Sequence, residues 1–519
     1  MIKKIFIYLV SLIFSSTIVL TLYIDNNVDV FISSFQFNYM FIIPTLIFSI
    51  IIYIVLKYIL RLISKINIKP SKKLWKVQIV FLCSFISIFL SGLLFLLTFY
   101  PGTCMVDSLQ LLIDPIGYSF QYPLIYSLLS SKLYYFFYNL SDSVNIAFFI
   151  ISLIQLLFMT TVLSYVITWS HKTFKSNIFT LLTVLYFNIF TIFANLNSAH
   201  LRDSLFAAFV LLLIPLLYEI INTKGMCLEK DKFKLRCVIT IGFLTLIRNN
   251  GIFMVLMLLV ILIIKYKKMI KDLILITLSI LFIYSIPLLL PKSYHTEPLF
   301  QESVAIPLEQ IAYILKYESL SSSGKDYINS IIPIEVMVDN YNPFSVDSIK
   351  WHIMFDRFYL NDTNDKFMSV WTRNILKHSE GYTKAYLLCT YDLWSVHKFS
   401  NYESRFLKIE SNDTNVESYY GDLKNENILP SNMGKILESF YERTTMYVNN
   451  GTLFWIYVFL GLLIYYKSKN KYLLLFIPFL GIWFNLMIST PLSSAFRYMC
   501  AFAYALPFMI ALCFFRSVD

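Results

Sequence analysis

The chain of 519 residues is 57% hydrophobic and 14% charged, whereas soluble domains carry roughly 25% charged residues. A mean hydropathy of +0.65 and recurring apolar runs of about 20 residues exclude a soluble globular protein and predict an all-α, multi-pass membrane protein. The net charge of +11 raises the question of nucleic-acid binding. However, the basic residues lie in short loops between apolar runs, which is typical of cytoplasmic loops, so we expect no nucleic-acid partner.

About twelve apolar segments are predicted to span the membrane. The first follows a basic N-terminus and is interpreted as an uncleaved span, because its apolar part is long and no small-residue cleavage site follows. Segment 122–139 is interpreted as an outer-surface or partly inserted helix. The predicted spans 237–249 and 252–266 are shorter than a bilayer needs, so they are expected to tilt or to form a broken pair. The spans are placed near 4–24, 38–60, 77–99, 143–168, 178–194, 204–222, 237–249, 252–266, 273–290, 452–466, 472–488 and 499–515.

The basic loops fall on one side of this arrangement, and the positive-inside rule assigns that side to the cytoplasm. Both termini are then cytoplasmic, and the expected location is the cell membrane. Residues 1–290 form an N-terminal transmembrane part of about nine helices with a first outer loop at 100–142, and 452–519 supply about three more. Residues 291–451 are predicted to form a mainly helical extracytoplasmic domain, since aromatic residues recur at helical spacing there.

Cysteines give little further guidance about this outer domain. Most of the seven cysteines lie in or beside the predicted spans, and only Cys104 and Cys389 fall clearly within the predicted outer segments. The sequence gives weak support for a disulfide between them, because connectivity cannot be deduced from spacing alone.

Polar residues next to four separate apolar segments are all predicted at the outer membrane face. They occur in the stretches "VDSLQ", "NLNSAHLRDSLF", "LIRNNG" and "PLSSAFRYMC". Charges near a bilayer are costly and usually face a protein interior or a water-filled cavity. Because the positive-inside tendency disfavours outer arginines, their recurrence predicts a shared anion site. The candidate residues are Asp107, Ser108, Gln110, His200, Arg202, Asp203, Arg248, Asn249, Asn250, Arg497 and Tyr498.

Each of these residues also has a purely structural explanation. Arg497 could extend to the membrane interface by snorkelling, and "RNNG" could be only a turn. Arg202 and Asp203 could pair with each other, or Asp203 could stabilise the start of a helix. Asp107 and Ser108 could serve only as a helix cap. The coincidence of all four at one membrane face favours the anion site.

The stretches "FYPGTCMVDSLQ", "RDSLFAAFVLLL", "LIRNNGIF", "ESVAIPLEQIAYIL" and "FRYMCAFAYALPFMIAL" together resemble a bacterial multi-pass family with the architecture of GT-C glycosyltransferases. The resemblance runs from about residue 77 to the C-terminus, and it depends on the order of the motifs and their common side of the membrane. It implies that Asp107 is a catalytic base or the contact of a divalent metal, Mg²⁺ or Mn²⁺. It also implies that outer-face arginines, here Arg202, Arg248 and Arg497, bind the phosphate of a polyprenyl-linked sugar.

One departure from this family pattern concerns the first outer loop. The chain has Tyr122 and Pro123 where similar proteins often have His-Pro. A histidine contact expected at that point is therefore missing.

The resemblance implies a membrane glycosyltransferase that moves a sugar from a polyprenyl-phosphate donor to an extracytoplasmic glycan, lipid or protein. Guanidinium groups suit this donor because they bind phosphate in a bidentate manner and stabilise charge on the leaving group. An oligosaccharide polymerase or ligase is one alternative, and it would need no base in the outer loop. A transporter or flippase is the other, and it would show internal repeats and polar residues at the bilayer midplane.

Overall fold

The structure is a computed structural model that describes residues 2–104, 106–117, 122–294, 296, 299–396, 423, 425–444, 449–489 and 496–515. The side chains of Ile2, Val106 and Asp107 lie outside this description. Within the described ranges the chain forms α-helices and short 3-10 turns, with isolated bridges but no strand. The predicted all-α class is therefore confirmed.

Thirteen α-helices precede the outer domain. They are α1 (Ile2–Asn26), α2 (Val28–Ser34), α3 (Tyr39–Ser64), α4 (Val77–Thr98), α5 (Val106–Ile113), α6 (Leu124–Ser141), α7 (Val144–Phe174), α8 (Asn177–Ile189), α9 (Ile192–Ser198), α10 (Arg202–Asn222), α11 (Asp231–Ile247), α12 (Gly251–Lys265) and α13 (Ile270–Ser285).

Thirteen further α-helices follow among the described residues. They are α14 (Phe300–Ser303), α15 (Ala305–Tyr317), α16 (Ser322–Asn329), α17 (Ile334–Asp339), α18 (Asp347–Lys350), α19 (Arg357–Asp362), α20 (Asn364–Ile375), α21 (Ser379–Cys389), α22 (Tyr391–Trp394), α23 (Ser431–Thr444), α24 (Asn450–Tyr466), α25 (Ile477–Ser489) and α26 (Cys500–Phe514).

Eight helices in the described part of the chain are long and apolar enough to cross a membrane, which supports the prediction of a membrane protein. A ninth results if α8 and α9, bent by 76° relative to each other, count as one span. The predicted spans at 237–249, 252–266 and 452–466 correspond to the shorter helices α11, α12 and α24. The count of twelve and the orientation of the termini stay predictions.

Capping side chains explain where several helices begin. The Asn27 side chain accepts hydrogen bonds from the amides of Asp29 and Val30 at 2.9 and 3.1 Å, which starts α2. Asn38 caps α3 in the same way, with a bond of 2.9 Å from the Met40 amide. These side chains satisfy amides that have no partner within the first turn.

Helix α6 exposes an apolar stripe and buries small polar residues. The exposed residues Leu129, Leu133, Phe136 and Leu140 recur at helical spacing, whereas Ser127 and Ser131 are buried. An exposed apolar stripe of this kind suits contact with lipid. Lys132 and Asn139 of the same helix are also exposed, so the prediction of an outer-surface or partly inserted helix at 122–139 stays a prediction.

The larger hydrophobic core lies among the spans and centres on α10 and α26. In the candidate spans that contain them, 78% of the most apolar stretch is buried inside the protein. The two helices begin side by side, since the Cys500 Sγ lies 3.5 Å from the Asp203 carbonyl oxygen. A functional group at either start is therefore held by the most buried part of the molecule.

A second hydrophobic core joins the outer helices α15 to α22 to α1 and α2. The Tyr391 hydroxyl donates to Asp25 Oδ1 at 2.5 Å, and Lys384 Nζ donates to the Ile32 carbonyl at 3.1 Å. Cys389 is buried within this region as a free thiol, so it forms no disulfide with Cys104. Leu423 and Tyr441 pack elsewhere, Leu423 in a cluster with Cys104 of the first outer loop and Tyr441 beside α4.

Candidate anion-binding site at the start of α10 and α26

The first outer loop is bound to the loop that precedes α10. The His200 amide donates to the Thr103 carbonyl at 3.0 Å, and the Thr103 hydroxyl donates to Asn195 Oδ1 at 3.0 Å. Gly102 has φ of +140°, and a Cβ at this position would lie 2.7 Å from Ser152 Oγ of α7. Only glycine fits both the backbone conformation and this close approach.

Gln155 of α7 fixes the backbone just before α10. Its Oε1 accepts a hydrogen bond from the Leu201 amide at 3.1 Å, and its Nε2 donates to the Ala199 carbonyl. These bonds occupy backbone groups that would otherwise be buried without partners. Arg202, the first residue of α10, therefore follows a loop whose backbone is fixed by hydrogen bonds.

Arg202 stacks on an aromatic platform. Its guanidinium carbon lies 4.3 Å from the ring centroid of Tyr122, which is itself buried. Stacking of this kind leaves the N–H groups at the edge of the guanidinium plane able to hydrogen-bond. Arg202 forms no ion pair with a carboxylate among the described residues, and in particular it does not pair with Asp203.

Asp203 pairs instead with Arg248, across the interface between α10 and the α11–α12 turn. The distance between Arg248 Nη1 and Asp203 Oδ1 is 3.1 Å, and the side chains are 12% and 1% exposed. Both charges are largely removed from water, so each depends on the other. Arg248 is one of the three predicted phosphate ligands, and here it also neutralises a buried acid.

The "RNNG" stretch is a tight turn that delivers Arg248 to this pair. The Gly251 amide donates to the Arg248 carbonyl at 2.8 Å. A Cβ on Gly251 would lie 2.4 Å from the Leu244 carbonyl oxygen, so the turn can close only with glycine. Asn249 is exposed, while Asn250 Nδ2 donates to Ser489 Oγ of α25 at 3.3 Å. The stretch is therefore a tight turn, as its purely structural explanation predicts, and the same turn also places Arg248 at the candidate anion site.

Tyr498 lies between two arginines. Its ring centroid is 4.7 Å from the guanidinium carbon of Arg248 and 4.9 Å from that of Arg497. Arg497 Nη2 also donates to the Tyr498 hydroxyl at 3.2 Å. The electron-rich ring face attracts both cations. A small pocket next to them is lined by Phe206, Arg248, Asn250, Gly251, Met254, Ile482, Asn485 and Leu486.

His200 lies two residues before Arg202 and is uncharged. It is buried between the rings of Tyr126 and Phe148, whose centroids lie 6.4 and 6.3 Å from its own. Burial lowers the pKa of His200 to about 4 and raises the pKa of Tyr126 to about 12. Since the imidazole is neutral at pH 7, it can donate or accept a hydrogen bond but cannot neutralise a phosphate.

Helix α5 carries the predicted catalytic residue Asp107 and packs beside Tyr122, the ring on which Arg202 stacks. Leu111 of α5 contacts Tyr122 and Tyr126 in one hydrophobic cluster. Asp107 is one helical turn before Leu111, and its side chain lies outside the described residues. Ser108 is buried, and Gln110 is half-buried.

A divalent metal site is predicted only at Asp107. Among the described residues no group of three or more His, Cys, Asp and Glu side chains is arranged to hold a metal ion. The buried carboxylate of Asp203 is engaged by Arg248. A metal contact at Asp107 therefore stays a prediction.

Two residues that build the site, Tyr122 and Gln155, were not among the predicted site residues. Tyr122 was noted only as a departure from His-Pro, although its ring supports Arg202. Gln155 was treated as part of an apolar span. Its amide in the middle of that span was an available signal, because a polar side chain buried among apolar helices needs hydrogen-bond partners.

The fold and the cluster define a polytopic α-helical membrane protein with arginines gathered where two buried spans begin. A family model described as "Family of unknown function (DUF6020)" matches residues 114–518, and the chain therefore belongs to this family. The matched region contains the candidate residues from His200 to Tyr498, and it begins just after α5. No curated protein and no solved structure matches the chain.

Proposed function

We propose that this protein is a membrane glycosyltransferase of GT-C type. It transfers a sugar from a polyprenyl-phosphate donor to a glycan, lipid or protein acceptor outside the cytoplasm. The observation that carries the proposal is the placement of Arg248 and Arg497 on the ring of Tyr498, with Arg202 on the ring of Tyr122 at the start of the adjoining helix α10. Three separate parts of the chain supply these cations, and one described acid, Asp203, lies among them.

The charge of this cluster favours a phosphate ligand. Asp203 neutralises Arg248, whereas Arg202 forms no ion pair with a described carboxylate, so positive charge remains in a partly buried setting where electrostatic attraction is strong. Arg202 is the group best suited to direct contact, because its ring stacking leaves a planar fork of N–H donors. Arg248, paired with Asp203, chiefly fixes the position of Tyr498 and adds long-range attraction.

The position of the arginines relative to the spans suits a lipid-linked donor. Arg202 is the first residue of the candidate span Arg202–Asn222, and Arg497 is the second of Phe496–Phe514. Both lie where a span meets the membrane edge. A polyprenyl phosphate keeps its isoprenoid chain in the bilayer and its phosphate at that level. The basic loops at the other ends of the helices support an outer-face location in the cell membrane.

The proposed transfer uses residues from both sides of the cluster. The acceptor hydroxyl attacks the anomeric carbon of the donor sugar, and the bond from that carbon to the phosphate oxygen breaks. Asp107 takes the hydroxyl proton, a contribution of about 10²–10⁴ in rate. The leaving polyprenyl phosphate gains negative charge, which the guanidinium groups stabilise. Neutral His200 donates or accepts a hydrogen bond to orient a sugar hydroxyl.

Lipid-linked sugar profiling tests this proposal in cells with and without the protein. We expect a polyprenyl-phosphate sugar to accumulate in its absence, and to return to its normal level with wild-type protein but not with Asp107→Asn. Rescue by Asp107→Asn would favour a polymerase or ligase. Unchanged profiles in all strains would overturn the proposal.

A binding measurement on purified protein complements the cell experiment. Arg202→Lys preserves charge but removes the planar fork, so we expect weaker binding of polyprenyl phosphate. Arg373→Lys is the matched control, since Arg373 is exposed in α20, far from the cluster in sequence. Equal binding by both variants would contradict a phosphate contact at Arg202.

A further inference from the structure

Helix α23 is attached at both ends to the same end of the transmembrane bundle. Near its start, the Ile428 amide donates to the Leu97 carbonyl of α4 at 3.4 Å. Near its end, the Tyr441 ring lies 4.9 Å from Phe95, centroid to centroid. The Thr444 hydroxyl is 3.3 Å from that of Thr191, at the bend between α8 and α9. Because α4 is a candidate span that ends at Thr98, α23 lies level with the membrane edge.

The surface of α23 has three distinct strips. Tyr441 and Gly434 are buried, and Leu437 packs beside Phe95 of α4 and Phe99, which directly follows α4. A second strip is apolar and yet exposed: Met433 at 43%, Ile436 at 69% and Phe440 at 49%. Lys435, Glu438, Glu442 and Arg443 occupy the remaining side. In a helix surrounded by water, the second strip would be an unfavourable exposure of apolar area.

Helix α4, to which α23 is attached, also carries apolar side chains on its exposed surface. It exposes Leu82, Ile86, Leu90 and Leu94 along one side of its length. Leu94 is next to Phe95, which contacts α23. The exposed apolar residues of this candidate span therefore extend to the helical turn at which α23 is attached.

We propose that α23 is an interfacial helix that binds the lipid surface. Met433, Ile436 and Phe440 insert among the upper parts of the acyl chains, and the charged side lies among the head groups. An apolar side joined to a strongly charged side, at low overall hydrophobicity, is typical of helices that lie in the plane of the interface. The lipid itself covers the strip.

This anchoring also acts on the first outer loop. The segment just before α23 crosses that loop: Asn425 Nδ2 donates to the carbonyls of Phe99 and Gly102 at 2.9 and 2.6 Å. The Glu426 amide donates to the Tyr100 carbonyl at 2.7 Å. A helix held at the interface keeps this segment in place over the backbone that leads to α5 and to the His200 contact. The proposal about α23 does not depend on the proposed enzymatic activity.

Spin labelling of the full-length protein in liposomes tests the proposal. The background carries Cys83→Ser, which removes the exposed cysteine and leaves six buried ones. A nitroxide is attached at Ile436→Cys or, as a matched control on the charged side, at Lys435→Cys. We expect the label at 436 to collide with oxygen several-fold more often than the label at 435, because oxygen concentrates in lipid. Collision with a water-soluble nickel complex should be several-fold lower than for the label at 435.

Two outcomes would overturn the proposal. Equal access of the nickel complex to both labels would place the apolar strip in water. Protection of the label at 436 from both reagents would show that protein, not lipid, covers the strip. Phe440→Cys, on the same strip, provides a second reporter if the variant at 436 does not fold.

Discussion

Glu309 is expected to make the outer helical domain less stable as the pH rises. It lies in α15 with a fully buried side chain, and burial raises its pKa from 4.5 to about 8. The Tyr341 hydroxyl beside it opposes this rise only in part. Between these two pH values the unfolded chain has lost the proton while the folded protein retains it. The unfolded state then binds fewer protons, so the free energy of unfolding falls with increasing pH.

The size of this effect follows from the two pKa values. At about 1.4 kcal/mol for each pKa unit, the total loss of stability is about 5 kcal/mol, of which about 3 kcal/mol is reached by pH 7. The stability is fully present below pH 4.5 and no longer changes above pH 8. Glu309→Gln keeps the size of the side chain and cannot ionise. It should therefore be more stable than wild type at neutral pH.

Thermal unfolding of the detergent-solubilised, full-length protein at several pH values between 5 and 8 measures this difference. The gap in melting temperature between Glu309→Gln and wild type should widen steadily with pH. Glu335→Gln is the matched control, because Glu335 is exposed in α17, and its pH profile should follow that of wild type. If the profiles of wild type and Glu309→Gln stay parallel, the reasoning about burial is wrong.

Three further predictions concern the cluster and the loop beside it. Asp203→Asn should lower the free energy of unfolding by about 3 kcal/mol or more, because it leaves the buried Arg248 charge without its partner. Adding Arg248→Gln should recover part of the lost melting temperature. If the losses of the two substitutions simply add, the two residues are independent. Gly102→Ala should lower the free energy of unfolding by about 1–3 kcal/mol, because the position has a positive φ and its Cβ would contact α7. The melting temperature measures this loss. An unchanged melting temperature would contradict the described backbone. Tyr122→Leu should weaken polyprenyl-phosphate binding, because it removes about 0.5–2 kcal/mol of cation–π attraction that holds Arg202. Tyr122→Phe keeps the ring and should bind normally. Equal binding by the two variants would show that the ring does not position Arg202.

The structure changes the relative importance of the arginines. The resemblance implies the same role, phosphate binding, for Arg202, Arg248 and Arg497, and it places Arg248 in the "RNNG" turn. That turn exists, but Arg248 is paired with a buried acid. Arg202 had a simple structural explanation in pairing with Asp203, and this pairing does not occur among the described contacts. Its stacking on Tyr122 makes it the stronger candidate for a direct ligand contact.

The sequence by itself determined the features that depend on local composition. Long apolar runs must form helices in a bilayer, because no water is available there to satisfy backbone groups, so the all-α class and the approximate helix positions could be derived residue by residue. The turn at "RNNG" was also visible, because Asn and Gly are typical of turns. The bend between α8 and α9 was not visible in the hydropathy, which treats both halves as one apolar segment.

Only the tertiary structure decided which charges meet. Arg202 and Asp203 are neighbours in the sequence, yet successive side chains on a helix point about 100° apart. Asp203 therefore turns into the core, where the α11–α12 turn brings Arg248 within 3.1 Å. Arg202 turns the other way, onto Tyr122 from the first outer loop. Sequence spacing cannot give these pairings, because they depend on how α10 packs against elements that are distant in the chain.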